Sequence, residues 1–195
     1  TSGGTLNLQG GTLSVKNAVN VATLSQTTGV LNGTADIAVN QLVQTGGIIS
    51  GSGNLSVAQS FSQGTQGRIA VDGNIVIGQT TGNLGVNYLS GNNISLTAKQ
   101  GAVNINEVFA AGTLSILTQG NITQTNVGKM IVAGASDLTS TVGDIVLANP
   151  QNNLDGVIKL SGKNIDFSDA TGPVIAITAT GNSNLTSNGN LTVNG

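Results

Sequence analysis

Similarity to itself at a short, recurring step constrains this chain more than any other feature of its sequence. Leu24-Ser25-Gln26, Leu42-Val43-Gln44 and Phe61-Ser62-Gln63 align at steps of 18 and 19, and their neighbours fall into line with them. Gly29-Val30-Leu31-Asn32-Gly33 matches Gly46-Gly47-Ile48-Ile49-Ser50-Gly51, and Ile69-Ala70-Val71-Asp72-Gly73 follows one unit later. Asp36-Ile37-Ala38-Val39, Asn54-Leu55-Ser56-Val57 and Asn74-Ile75-Val76-Ile77 close the successive units. The pattern continues as Asn93-Ile94-Ser95-Leu96, Thr113-Leu114-Ser115-Ile116, Asp144-Ile145-Val146-Leu147, Asn164-Ile165-Asp166-Phe167 and Asn190-Leu191-Thr192-Val193. Similarity at a fixed period is the mark of a repeat architecture.

Each short run alternates an aliphatic residue with a small polar one, the period of a half-buried strand, and no stretch has a helical period. Gly-Gly, Asn-Gly, Ser-Gly and Asn-Pro pairs separate the runs, because Gly and Asn tolerate the backbone conformations of tight turns. Antiparallel hairpins would turn at roughly half the observed interval and give no reason for similarity at the longer step. A coil of about three short strands does give one, since equivalent side chains then lie roughly 4.8 Å apart along the axis. The sequence therefore predicts an all-β fold, a single-stranded right-handed parallel β-helix (β-solenoid) of about nine to ten rungs of 18–24 residues, in one continuous domain over residues 1–195. Its length would be on the order of 45 Å.

Two details of register follow. Val39, Val57, Ile77 and Leu96 should form one inward aliphatic stack. Gln26, Gln44 and Gln63 either form an amide ladder, each side chain donating to the next, or are three unconnected surface glutamines.

Composition excludes several function classes. Charged residues make up 7% and aromatic ones 2%, while 38% are hydrophobic, mostly small aliphatics, which is too apolar for a disordered chain. No apolar run approaches the roughly 20 residues of a membrane-spanning helix. The six cations are scattered singly at Lys16, Arg68, Lys99, Lys129, Lys159 and Lys163, and one Tyr with three Phe offers no stacking platform, so nucleic acid is not expected as a partner. Without Cys or His, disulfides, thiolate or histidine metal sites and a Ser-His-Asp triad are impossible within the chain. The sequence begins without Met or a signal core, and reads as an excised piece of something longer.

The segment Gly143-Asp144-Ile145-Val146-Leu147, followed by the turn Asn149-Pro150-Gln151-Asn152-Asn153-Leu154 and the strand Gly156-Val157-Ile158-Lys159-Leu160, resembles the recurrent rung of the filamentous haemagglutinin family of two-partner-secreted exoproteins. Asn121-Ile122-Thr123-Gln124 and Gly189-Asn190-Leu191-Thr192-Val193 are similar to further rungs, and the Gly29 and Gly46 units to repeats of the same exoproteins and of autotransporter passengers. The resemblance covers the whole chain as a style of repeat. It implies a right-handed β-helix exported to the bacterial cell surface or beyond. It also implies an outer-membrane transporter of the two-partner type as export partner, and adhesion to a glycan or protein on a host or other cell. Toxin delivery and haem-related binding are variants. The family's secretion-domain motifs are not found near Thr1, so the segment reads as shaft.

A polysaccharide lyase or hydrolase is the rival reading, because such enzymes use this fold with clustered carboxylates. The acidic residues are Asp36, Asp72, Asp137, Asp144, Asp155, Asp166, Asp169 and Glu107. Asp36, Asp72 and Asp144 precede strands, as turn residues do. The local cluster is Asp155, Lys159, Lys163, Asp166 and Asp169, in which Lys163 and Asp166 flank one strand and could share a groove with Asp169. Ice binding is a third reading, but the Thr-x-Thr units at Thr123, Thr139 and Thr178 step by 16 and 39, spacings that do not hold one face at the coil period. Gly51-Ser52-Gly53 lacks the Lys and helix of a phosphate loop. Irregular stretches at 99–111, 126–136 and 148–156 are where a ligand-binding tip would be sought, and none is read as carrying the aromatic anchors of a binding hot spot. No catalytic, cofactor-binding or metal-ligating residue is assigned, and the chain is expected to be non-catalytic.

Overall fold

Alternation of aliphatic and small polar residues yields strands along nearly all of the chain in a computed structural model, which describes residues 2–194. Four long strands come first: β1 (Ser2–Val15), β2 (Val19–Gly33), β3 (Ile37–Gly51) and β4 (Leu55–Val71). Shorter ones follow as β5 (Ile75–Gln79), β6 (Leu84–Gly91), β7 (Ile94–Ala98), β8 (Val103–Ala110), β9 (Leu114–Thr118), β10 (Ile122–Gln124), β11 (Met130–Val132) and β12 (Ser136–Ser140). The chain ends in β13 (Ile145–Leu147), β14 (Asn153–Leu154), β15 (Val157–Gly162), β16 (Ile165–Asp169), β17 (Val174–Ala179), β18 (Ser183–Ser187) and β19 (Thr192–Asn194). The strands are parallel and stack into about ten coils with no helix among the described residues, so the molecule is the expected β-solenoid.

Coil length is read from the register. Val21 lies under Val39, Val39 under Val57, Val57 under Ile77 and Ile77 under Leu96, at steps of 18, 18, 20 and 19. Val39, Val57, Ile77 and Leu96 are all inward and at most 2% exposed, as the alignment requires. The column continues through Ile116, Leu138 and Leu160 at steps of 20, 22 and 22, then tightens to 17 at Ile177. Length is thus added and removed in the turns, while the inward columns keep their register. The core is correspondingly one-dimensional, each aliphatic side chain packing against its counterparts in the coils above and below.

Two expectations need correction. Strands of three to five residues are expected throughout, yet β1 to β4 run for 14 to 17 residues. β1 to β3 turn a corner within the strand, with the register resuming beyond it, because glycine occupies the bend: Gly11, Gly29 and Gly47 have φ of +68°, +80° and +83°, and in β4 Gly67 stands over Gly47. A Cβ at Gly47 would sit 2.6 Å from the Gly29 carbonyl oxygen, so the corners also approach too closely for any side chain. Second, Asp144-Ile145 and Asn164-Ile165 do not continue the wall of Asp36-Ile37, and Asn190-Leu191 reaches that wall two residues out of register, Val193 rather than Leu191 lying on Ile175 in the Ile37 column. Ile145 and Ile165 belong to another column, Leu84–Val103–Ile122–Ile145–Ile165. In the last coil Thr192 lies on Val174, with Asn190-Leu191 just before it in the chain.

The three glutamines do form a ladder, and it lies inside the coil. Gln26 and Gln44 are fully buried. Gln44 Nε2 donates to Gln26 Oε1 at 3.1 Å, and Gln63 Nε2 to Gln44 Oε1 at 2.9 Å. The physical reason is the glycine corner, which turns carbonyls into the core where no strand can pair them. Gln26 Nε2 serves Gly29 and Ile48, and Gln44 Nε2 serves Gly47 and Arg68, all at 3.1 to 3.2 Å. Later coils solve the same problem differently, with Gln124 and the buried Asn152 exchanging two hydrogen bonds of 2.7 and 2.8 Å.

Candidate functional site

The eight carboxylates are distributed by the coil, and the residues of the local cluster Asp155, Lys159, Lys163, Asp166 and Asp169 do not converge on one groove. Asp36 heads a turn ladder: Asn54 donates to Asp36 Oδ1 from backbone and side chain at 2.8 and 3.0 Å, Asn74 and Asn93 repeat the contact, and Thr113 closes it. Asp144 sits in a second ladder, accepting Asn164 N–H and Nδ2 at 3.0 and 2.9 Å while its own N–H donates to Asn121 Oδ1. Asp169 does not face a groove with Asp166. It is 1% exposed, and accepts hydrogen bonds from Leu154 N–H at 2.9 Å, Thr171 N–H at 2.8 Å and Thr171 Oγ1 at 2.7 Å. The parity of β16 explains this, since Ile165, Phe167 and Asp169 all point inward.

Asp166 points outward beside Asp144, where it accepts Asn184 Nδ2 at 2.9 Å. Lys159 lies next to Asp137 on a different wall. Lys163 is in the exposed turn after β15, and Asp155 in the exposed turn before it. Among the described residues no group of three His, Cys, Asp or Glu is arranged to hold a metal ion.

The Thr-x-Thr units behave differently from their spacing. Thr139 pairs with Ser161 and Ser161 with Thr178, so the step of 39 is two coils of 22 and 17 and returns to one face. Thr141, Lys163 and Thr180 line the same shallow groove. Leu117, 47% exposed, precedes Thr139 in the column and interrupts the hydroxyls. Thr123 and Thr125 lie on another wall, their hydroxyls donating to Asn104 and Asn106 at 2.6 Å.

The stretches read as irregular are partly regular. Residues 103–110 are the full strand β8, and 130–132 are β11. The Asn-Pro turn is structural: Asn149 Oδ1 accepts Gln151 N–H at 2.9 Å, its Nδ2 donates to the Gly128 carbonyl, and Asn152 is enclosed behind it. Ser136, in an inward column between Leu114 and Ile158, is 1% exposed, and its hydroxyl has no partner among the described residues.

The first of those stretches does carry an aromatic residue, Phe109, and the fold sets it beside Tyr88. Their ring centroids are 5.3 Å apart at 39°, on one outer wall in consecutive coils. The Arg68 guanidinium lies over the Tyr88 ring, 3.6 Å from its centroid, and Lys129 Nζ is 5.7 Å from that of Phe109. Glu107 lies beside Tyr88 in register. Half of the chain's four aromatic residues and a third of its six cations thus form one strip across four coils, and their steps of 20, 21 and 20 are the coil period that could have found it in the sequence.

Comparison with known proteins bears on part of this molecule. Residues 91–161, a little over a third of the chain, match a family described as repeats of unknown function (DUF5649). No curated protein and no solved structure matches the chain. The matched stretch runs from the end of β6 to β15, and includes Phe109, Lys129 and the Asn-Pro turn, so the irregular coils are similar to a recognised repeat rather than to isolated insertions.

Proposed function

We propose that this chain is a shaft segment of an exported bacterial surface protein of the filamentous haemagglutinin type, adhesive and non-catalytic. One observation carries the reading: side chains able to do chemistry are spent on holding coils together. Asp36 and Asp144 organise turn ladders, and Asp169 is enclosed by three hydrogen bonds. Catalysis by a β-helix needs several groups converging within a few ångströms on an open groove. The outward pair Asp144 and Asp166, among the side-chain amides of Asn164 and Asn184, is the nearest approach to that arrangement. On this reading, a transporter of the two-partner type passes the chain through the outer membrane unfolded. Coils then form outside the cell, where a rod with no cysteine needs no oxidative machinery.

The test has two arms. The 195-residue chain is assayed against acidic and neutral polysaccharides with and without calcium, and beads coated with it are presented to cells. The expected result is no turnover and retention of the beads. Turnover abolished by Asp144→Asn or Asp166→Asn would replace the shaft with a lyase or hydrolase, and beads that are not retained would remove the adhesive half of the proposal.

A further inference from the structure

The column of Arg68, Tyr88, Phe109 and Lys129 does more than a shaft requires. Outward positions elsewhere hold mostly Ser, Thr, Asn and aliphatics with single charged residues among them, whereas here two rings meet with a cation beside each. We propose that this wall binds an acidic polysaccharide laid along the solenoid axis, its anionic groups taken by Arg68 and Lys129. The proposal rests on the adhesive reading and names the ligand class for it.

Three observations support this occupant. The first is charge: among the described residues neither Arg68 nor Lys129 is paired with a carboxylate, in a chain of net charge −2. Glu107 is the one carboxylate in the strip, beside Tyr88, and as an acceptor it suits sugar hydroxyls. The second is preorganisation. The Arg68 guanidinium is held 3.6 Å over the Tyr88 ring, and its fork of N–H donors is of the kind that takes a carboxylate or sulfate with two parallel hydrogen bonds. Lys129 stands three coils further on, about 14 Å at the spacing of paired strands, so a ligand reaching both is an extended polymer.

The third excludes an extended peptide as the natural occupant. Backbone N–H and C=O groups of this wall already point along the axis into neighbouring coils, as in the parallel pairing of β6 with β8 and of β8 with β11. A peptide laid on it finds no edge to join and no main-chain hydrogen bonds to make. Recognition must come from side chains alone, which suits a ligand with its own charges and with ring C–H faces to set against Tyr88, Phe109 and the neighbouring Ile131.

Titration calorimetry of the whole chain with four probes tests the proposal: a sulfated glycosaminoglycan oligosaccharide, an oligogalacturonate, a dextran oligosaccharide and poly-glutamate, each at low and high salt. Binding of a sulfated or uronic-acid probe that weakens with salt is expected, and the two arms tell sulfate from carboxylate as the group recognised. Arg68→Gln with Lys129→Gln should weaken it at least tenfold. Tyr88→Leu should weaken it severalfold without any change of charge, because the guanidinium loses its platform. Lys159→Gln with Lys163→Gln removes the same charge from another part of the surface and should leave binding unchanged. Equal loss in the two double variants, dextran bound as well as the acidic sugars, or poly-glutamate bound as tightly as either would each overturn the assignment, as would no binding of any probe. Thermal melts of every variant separate loss of the site from loss of the fold. Absence of binding with beads still held by cells would sink this ligand class and leave the adhesive shaft standing.

Discussion

Gln44 is a polar side chain in the middle of an aliphatic core, and its amide accounts for its place there. It bridges Gln26 and Gln63 and satisfies the carbonyls of Gly47 and Arg68, so nothing around it is left unpaired. Removing it should therefore hurt more than removing a comparable apolar group. Val57→Ala takes away buried methyls and leaves a small cavity, at about 1 to 3 kcal/mol, while Ser56→Ala on the outer face of the same strand should cost little. Gln44→Leu keeps the volume but strands two carbonyls and two amides in the core, and should cost about 3 kcal/mol or more. Urea unfolding of the three variants checks the order, and a Gln44→Leu protein as stable as Ser56→Ala would show that the ladder is passive.

At the level of the element, the glycine corner of β2 and β3 is the feature with the least freedom. Gly47→Ala would demand a positive φ and a Cβ 2.6 Å from the Gly29 carbonyl oxygen, whereas Gly85, with open space around its Cβ position, should accept Ala. A loss of about 2 kcal/mol or more is expected for the first and well under about 1 kcal/mol for the second, read from denaturation midpoints. Corners of this kind mark how far the sequence is legible. The column from Val39 to Leu96 is readable because these coils keep nearly one period, and the parity of Leu24 with Gln26 and of Phe167 with Asp169 carries the signal that those polar residues point inward. The wall of Ile145 and Ile165 is misread from sequence because an aliphatic-polar-aliphatic run looks the same on every wall. The meeting of Tyr88 with Phe109 is legible only as a step of 21 residues, near the coil period, and not as a contact. Tyr88 pairs in register with Glu107, not with Phe109, so the contact of the two rings crosses the register diagonally and depends on an alignment that only the folded coil supplies.

For the whole molecule, backbone hydrogen bonds between coils run along the axis, and β1 pairs with β2 alone while β19 pairs with β17 alone among the described strands. Prepared as the 195-residue chain, the solenoid leaves strand edges open at its two ends. Sizing experiments at rising concentration should show end-to-end association, reduced when charged residues are placed at the β1 edge; a strictly monomeric sample at high concentration would contradict this.

The same alignment of hydrogen bonds with the axis has a mechanical meaning. Tension applied between the ends is carried by every coil interface in series, and because each coil is held by its immediate neighbours and by little else, the weakest interface yields by itself. A coil that yields frees about 20 residues, roughly 65 Å of slack chain, before the next interface gives way. A rod of this construction, fixed at one end and pulled at the other, lengthens in discrete steps and dissipates a sudden pull as a shock absorber does.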